Sequence, residues 1–261
     1  MAGVRPLPPL IAAAAPVTAP SRITFPGSQG QVLAARLDRP AGQARASAVF
    51  AHCFTCTKDI HAAGRISGAL TAAGFAVLRF DFTGLGGSEG DFANTHFSSN
   101  LDDLRHAAAW LRDELLAPGL LVGHSLGGAA VIAAGADIAS VRAVATIGAP
   151  AAADHVTKLF TADLAAIREQ GVAPVCIGGR PFTIRQEFVD DLHRHSVTER
   201  ARRLDRALLV MHSPTDQVVG IENAGALFEA ARHPKSFVSL DGADHLLSTG
   251  ADATFAGTVI A

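Results

Sequence analysis

The stretch LLVGHSLGGAAVIAAG, residues 120–135, decides how the rest of the chain is read. Its first four residues form an apolar run with strand character, and from Gly127 onward the residues are small and apolar, as a helix packed closely on a strand requires. Between the two, Gly123-His124-Ser125-Leu126-Gly127 fits the pattern G-x-S-x-G at a strand-to-helix turn. A turn this sharp strains the backbone at Ser125, and a side chain two residues to either side would collide with neighbouring backbone. The hydroxyl is thereby lifted clear of the sheet, at the N-terminus of the following helix. A serine is a weak nucleophile at neutral pH. The motif therefore carries chemistry only if the chain also supplies a base, an acid and donors for negative charge.

On either side of this elbow, strand-like and helix-like segments alternate from about Arg22. Strands are predicted at RITF (22–25), QVLAARL (31–37), ASAVFAH (46–52), AVLRFDF (76–82), LLVG (120–123), AVATIG (143–148), ALLVMH (207–212) and SFVSL (236–240). From residue 46 onward they are almost continuously apolar, which suits strands buried on both faces of a parallel sheet. Helices are predicted at 59–74, with Asp59 as N-cap, and from Ser98 or Ser99, with Asp102 and Asp103 near the positive end of the dipole. Two more follow at 222–232 and 250–261. The alternation predicts a doubly wound α/β sheet with helices on both faces. Residues 152–205 break the rhythm with a helical pattern (155–171), a hairpin turning at Gly178-Gly179 and a second helix (185–195). We take this as a cap inserted over a single domain spanning 22–261.

Bulk properties narrow the class. The chain has 261 residues, 49% of them apolar, 18% charged, and a net charge of −2. No basic patch or motif suggests nucleic acid. No apolar run reaches the roughly 18 residues of a membrane span. Residues 1–21 are rich in alanine and proline; the prolines interrupt any secretory h-region, so a disordered arm is expected there. Three cysteines cannot make a disulfide framework, and a cytoplasmic location is expected.

The missing groups follow in order. On an open α/β sheet the expected sequence is serine, then acid, then histidine. VMHSPTDQVVG places Asp216 just past one strand, and SLDGADHLLS places His245 just past the last. Both lie at carboxyl ends, where parallel sheets build their sites. Ser125 would attack, His245 would act as base and then acid, and Asp216 would hold the imidazole tautomer and its charge. The oxyanion would be met by the Leu126 N–H and by an N–H of the loop HCFTC, from Phe54 or else Cys53; such donors are worth about 3–4 kcal/mol each. Cys53 and His124 flank the site and are assigned to substrate contact, although His124 also reads as a packing residue inside the elbow.

These motifs give the chain a family resemblance. FAHCFTCTKDI, LRFDFTGLGGSEGDFANTHFSSN, GHSLGGAA, ATIGAPA, GGRPFTI and HPKSFVSLDGADHLL together resemble the α/β-hydrolase superfamily. Within it they resemble bacterial hydrolases often fused to, or found beside, an OsmC-like domain. The resemblance covers about residues 23–247. It implies an α/β-hydrolase fold, with a mostly parallel eight-stranded sheet and a small helix/hairpin cap, and the activity of a carboxylesterase-like serine hydrolase on small esters. It implies no metal and no cofactor. These 261 residues hold no OsmC-like segment, so no peroxidase activity is expected of them. The last helix stops at Ala261; the chain is expected to be a stand-alone form or a piece of a longer protein, with that helix weakly anchored.

Other residues offer rival readings. The same machinery could run a thioesterase or an amide-type acyl hydrolase, and a relic elbow could sit in a binding module. Cys53 and Cys56 form a C-x-x-C that could be a redox pair, while a zinc site would need more ligands than the neighbourhood supplies. Asp81 could pass for a triad acid but suits a structural job, bonding backbone N–H groups of the glycine-rich loop after it. GLGGSEG lacks the lysine of a phosphate loop. His193 and His195 read as a solvated helix face, and Arg180 as a residue that could steer an acidic substrate into the cleft.

Overall fold

The computed structural model describes residues 19–261. The eight predicted runs become eight strands of one sheet: β1 (Ser21–Pro26), β2 (Val32–Asp38), β3 (Ala46–Ala51), β4 (Phe75–Phe80), β5 (Leu120–His124), β6 (Ala143–Ile147), β9 (Ala207–His212) and β10 (Lys235–Ser239). Two further strands, β7 (Val172–Ile177) and β8 (Arg180–Arg185), pair with each other in a separate hairpin. The order across the large sheet is β1-β2-β4-β3-β5-β6-β9-β10. β2 is antiparallel to both its neighbours, and every other pairing is parallel. The expected arm lies, up to residue 18, outside the described residues.

The apolar runs are continuous because both faces of the sheet are covered. Along β3, Ala48 and Phe50 enter one core, while Val49 and Ala51 enter the other. The first core is closed by α1 (His61–Ala72) and α8 (Gly250–Ile260), through Ala63, Ile66, Leu70, Ala253 and Ala256. The second is closed by α2 (Phe97–Glu114), α3 (Leu126–Gly135), α6 (Val197–Arg203) and α7 (Glu222–Ala230), with Leu104, Ala129, Ala201 and Leu227 inside. Fully burying a side chain the size of Phe50 or Phe80 contributes about 2–3 kcal/mol.

Helix starts depart from the sequence reading. Asp59 does not cap α1; Arg36 and Lys58 draw its carboxylate into ion pairs, and Ile60 occupies the cap position. The α2 helix begins before Ser98. His96 is its N-cap, accepting from the Ser99 N–H at 3.0 Å, while Ser99 Oγ accepts from the His96 N–H at 3.0 Å. Asp102 and Asp103 thus fall beyond the first turn. Asp103, buried, instead pins the loop after β4 by accepting from the Thr83 N–H at 2.9 Å and its hydroxyl at 2.8 Å. The last helix is not weakly anchored: a Cβ on Gly257 would lie 2.9 Å from Ile66 Cα, so α8 rests almost backbone to backbone on α1.

The insertion between β6 and β9 has the expected hairpin. Gly178 (φ 57°) and Gly179 (φ 76°) both take positive φ, as a two-residue turn joining Ile177 to Arg180 requires. The single helix expected over 155–171 is two pieces, a 3-10 helical segment (Ala153–Asp163) and α4 (Leu164–Gln170). Phe160 leaves helical geometry (φ −140°, ψ 37°), and its side chain is buried in the core. After β8 comes α5 (Gln186–His193). His193 is exposed and faces Asp154 at 3.2 Å. His195 is not solvated as expected: its ring packs on Phe97 and its Nε2 lies 2.8 Å from Ser98 Oγ.

Candidate active site

Ser125 stands between β5 and α3 with φ 55° and ψ −124°, a conformation that costs a non-glycine residue roughly 1–3 kcal/mol. The surroundings hold it there. Its N–H donates to the Ile147 carbonyl at 2.9 Å, and its carbonyl accepts from the Gly128 N–H at 2.8 Å. The flanking glycines are steric necessities. A Cβ on Gly123 would lie 2.3 Å from the Gly127 carbonyl oxygen, and one on Gly127 would lie 2.4 Å from the carbonyl oxygens of Ala51 and His52. Helix α3 therefore passes directly over the end of β3, and the serine side chain is partly exposed at the carboxyl edge of the sheet.

Three side chains distant in sequence meet at this point. His245 Nε2 lies 3.0 Å from Ser125 Oγ, and His245 Nδ1 lies 2.8 Å from Asp216 Oδ2. The other Asp216 oxygen accepts from the N–H groups of Val218 at 2.8 Å and Val219 at 2.9 Å. Burial alone would raise the Asp216 carboxyl, but the His245 bond and these two amides outweigh it and hold its pKa below the usual carboxylate range. Two further histidines act as struts: His124, whose packing reading from the sequence this matches, and His212, which sequence reading did not single out. His124 Nε2 lies 2.7 Å from the His245 carbonyl oxygen, and His212 Nε2 lies 2.7 Å from the Val219 carbonyl oxygen. The only sequence signal for them is an imidazole ending an apolar strand.

The loop after β3 faces the serine. The Cys53 carbonyl is occupied on its own side, accepting from His52 Nδ1 at 2.8 Å and the Cys56 N–H at 3.1 Å. Across a trans peptide the N–H points the opposite way, so the Phe54 N–H is aimed away from that cluster. Neither the Phe54 nor the Leu126 N–H donates to another group among the described residues. The Phe54 ring stacks on Phe188 of α5 with centroids 5.5 Å apart, which ties the loop to the insertion. Cys53 and Cys56 are joined in a disulfide, a pairing that the count of three cysteines did not anticipate. Each sulfur is therefore held by the other, and Cys176 is the one free cysteine among the described residues.

Ser125, Leu126, His245, Cys53 and Phe54 line one cavity of about 380 Å³. His124, assigned from sequence to substrate contact, is not on its wall: the ring is 1% exposed and sits behind His245, with centroids 5.1 Å apart. Asp81 accepts from the N–H groups of Lys58 at 2.6 Å and Gly87 at 2.9 Å and from Lys58 Nζ at 2.6 Å, holding the glycine-rich loop. Among the described residues no group of three or more His, Cys, Asp or Glu side chains is placed to hold a metal ion.

Comparison with known proteins agrees with this fold. Residues 48–257 match the model of the family described as Alpha/beta hydrolase family. No curated protein matches the chain in sequence. Among solved structures, the esterase domain of a Rhodothermus marinus protein is 49% identical, covering 93% of this chain and 96% of its own with a TM-score of 0.76. Est1E from Butyrivibrio proteoclasticus, with ferulic acid bound, is 20% identical over 91% of this chain and 97% of its own, TM-score 0.73. The alpha/beta hydrolase domain-containing protein 10 from mouse is 21% identical over 92% and 96%, TM-score 0.74. These last two share the fold.

Proposed function

The chain belongs to the alpha/beta hydrolase family, and on that premise we propose that it is a serine carboxylesterase acting on small esters through an acyl-enzyme. The observation that carries this reading is the continuous line from Ser125 Oγ through His245 to Asp216, with contacts of 3.0 and 2.8 Å. Similarity to an esterase domain at 49% identity supports the choice of bond.

With an ester carbonyl seated over Ser125, His245 Nε2 takes the hydroxyl proton as Oγ attacks the carbonyl carbon. Negative charge moves onto the carbonyl oxygen, where the unclaimed N–H groups of Leu126 and Phe54 supply fixed donors. Asp216 stays ionised, keeps the Nδ1 proton in place and stabilises the imidazolium. When the tetrahedral intermediate collapses, the Nε2 proton goes to the departing alcohol, leaving the acyl group on Oγ. Water then attacks the acyl carbonyl carbon as His245 takes its proton, and collapse of this second intermediate breaks the bond to Oγ, returns the proton to Ser125 and releases the acid. Cys53 contributes wall to the cavity.

The test is covalent. A fluorophosphonate probe should label wild-type protein at Ser125 and fail to label Ser125→Ala, while a short-chain aryl ester is turned over only by the former. Turnover retained in Ser125→Ala with the background subtracted would overturn the assignment.

A further inference from the structure

Resting on the esterase reading, we infer that the cavity selects esters whose non-reacting end carries a carboxylate, received by Arg180 and Lys158. Most of the wall is apolar, with Val156, Ile177 and Val219 among its residues, and the two charged side chains that line it are both cations. No Asp or Glu side chain lines it. Acids close to the lining have other partners or lie off it: Asp216 lies beneath His245, Asp154 faces His193, and Glu222, which acts on His155, accepts from Asn223 Nδ2. This local excess of positive charge runs against the net charge of −2 on the whole chain, so it is a property of the mouth and not of the molecule.

The two cations differ in how they are held. Arg180 donates to the Thr55 carbonyl, and its guanidinium lies over the Phe182 ring at 5.3 Å. That leaves N–H groups of a planar, positioned fork for a carboxylate to meet side-on. Lys158 makes no ion pair among the described residues; it sits one turn beyond His155 on the same 3-10 segment, and both line the cavity. Apolar walls around a cationic mouth concentrate the field there. A neutral acyl chain would fill the wall and leave both cations without a counter-charge. A chain ending in a carboxylate satisfies wall and mouth together.

The experiment compares kcat/KM for 4-nitrophenyl monoesters of adipic and suberic acid with that for 4-nitrophenyl hexanoate and octanoate, which match them in carbon count. Wild-type protein should prefer the charged ester of each pair by about tenfold at low salt, since an exposed ion pair is worth up to roughly fivefold and two are available. Lys158→Gln and Arg180→Gln should each lower that preference about threefold, and added salt should erode it. The ratio is the readout because Arg180 also steadies the Thr55 carbonyl, so overall rates can shift with the loop. Equal turnover of charged and neutral esters, or a preference that both variants leave intact, would overturn the inference while leaving the esterase reading in place. Hydrolysis of neither ester, together with no fluorophosphonate labelling of Ser125, would remove both.

Discussion

Lowering the pH from 7 to 4 should destabilise the protein, and one identifiable share of the loss belongs to the imidazole of His124. The ring is buried at the end of β5; its Nε2 is paired with the His245 carbonyl at 2.7 Å, and its Nδ1 has no partner. A second proton would have to sit on that orphaned nitrogen. Burial, and next the electrostatic influence of His245 beside it, depress the His124 pKa from 6.5 to about 4. In the unfolded chain the same ring titrates near its ordinary value. Between the two values the unfolded state holds more protons than the folded one, so stability is fully present above about pH 6.5 and drains away as pH falls towards 4. At roughly 1.4 kcal/mol per pKa unit, the loss by pH 4 is about 3 kcal/mol, a large part of a typical domain's 5–15 kcal/mol. His124→Gln keeps a donor for the His245 carbonyl and removes the titration. Urea unfolding of both proteins at pH 7, 5.5 and 4 isolates the effect, because every other group titrates in both. Wild type should lose about 3 kcal/mol more than the variant across this window. Parallel losses in the two proteins would refute the reasoning.

Three substitutions probe the rest of the site. Ser125→Ala should lower kcat on a short aryl ester by about 10⁴–10⁶ while its thermal unfolding midpoint stays close to wild type. Asp216→Asn should lower kcat by about 10⁴, since the amide cannot hold the Nδ1–H tautomer, and stopped-flow measurement should show slower acylation without weaker binding. Gly127→Ala, which in an ordinary helix interior would stabilise by up to about 1 kcal/mol, should instead destabilise by about 3 kcal/mol, because the new methyl meets two carbonyl oxygens at 2.4 Å; an unchanged urea midpoint would contradict the close approach.

Much of the architecture was legible because it is written in near-neighbour patterns. An apolar run without alternation means a strand covered on both faces, and β3 with Ala48 and Phe50 on one side and Val49 and Ala51 on the other is such a strand. The elbow was legible for the same reason: the glycines that clear Ala51, His52 and each other lie within two residues of Ser125. Helix starts were less so. Asp59 has the right chemistry for a cap, but Arg36, on strand β2, competes for its carboxylate.

By itself, then, the sequence determined the sheet, the turn that presents Ser125, and the order in which an acid and a histidine follow it. Only the tertiary structure decided that Cys53 pairs with Cys56, that His124 and His212 brace the loops carrying His245 and Asp216, and that Lys158 and Arg180 line one cavity. Strand and turn preferences arise from sterics and burial over a few residues, which a local pattern records. A bond between His124 and the backbone of His245 spans 121 positions, and nothing local to either residue encodes it until the packed sheet brings their strand ends together.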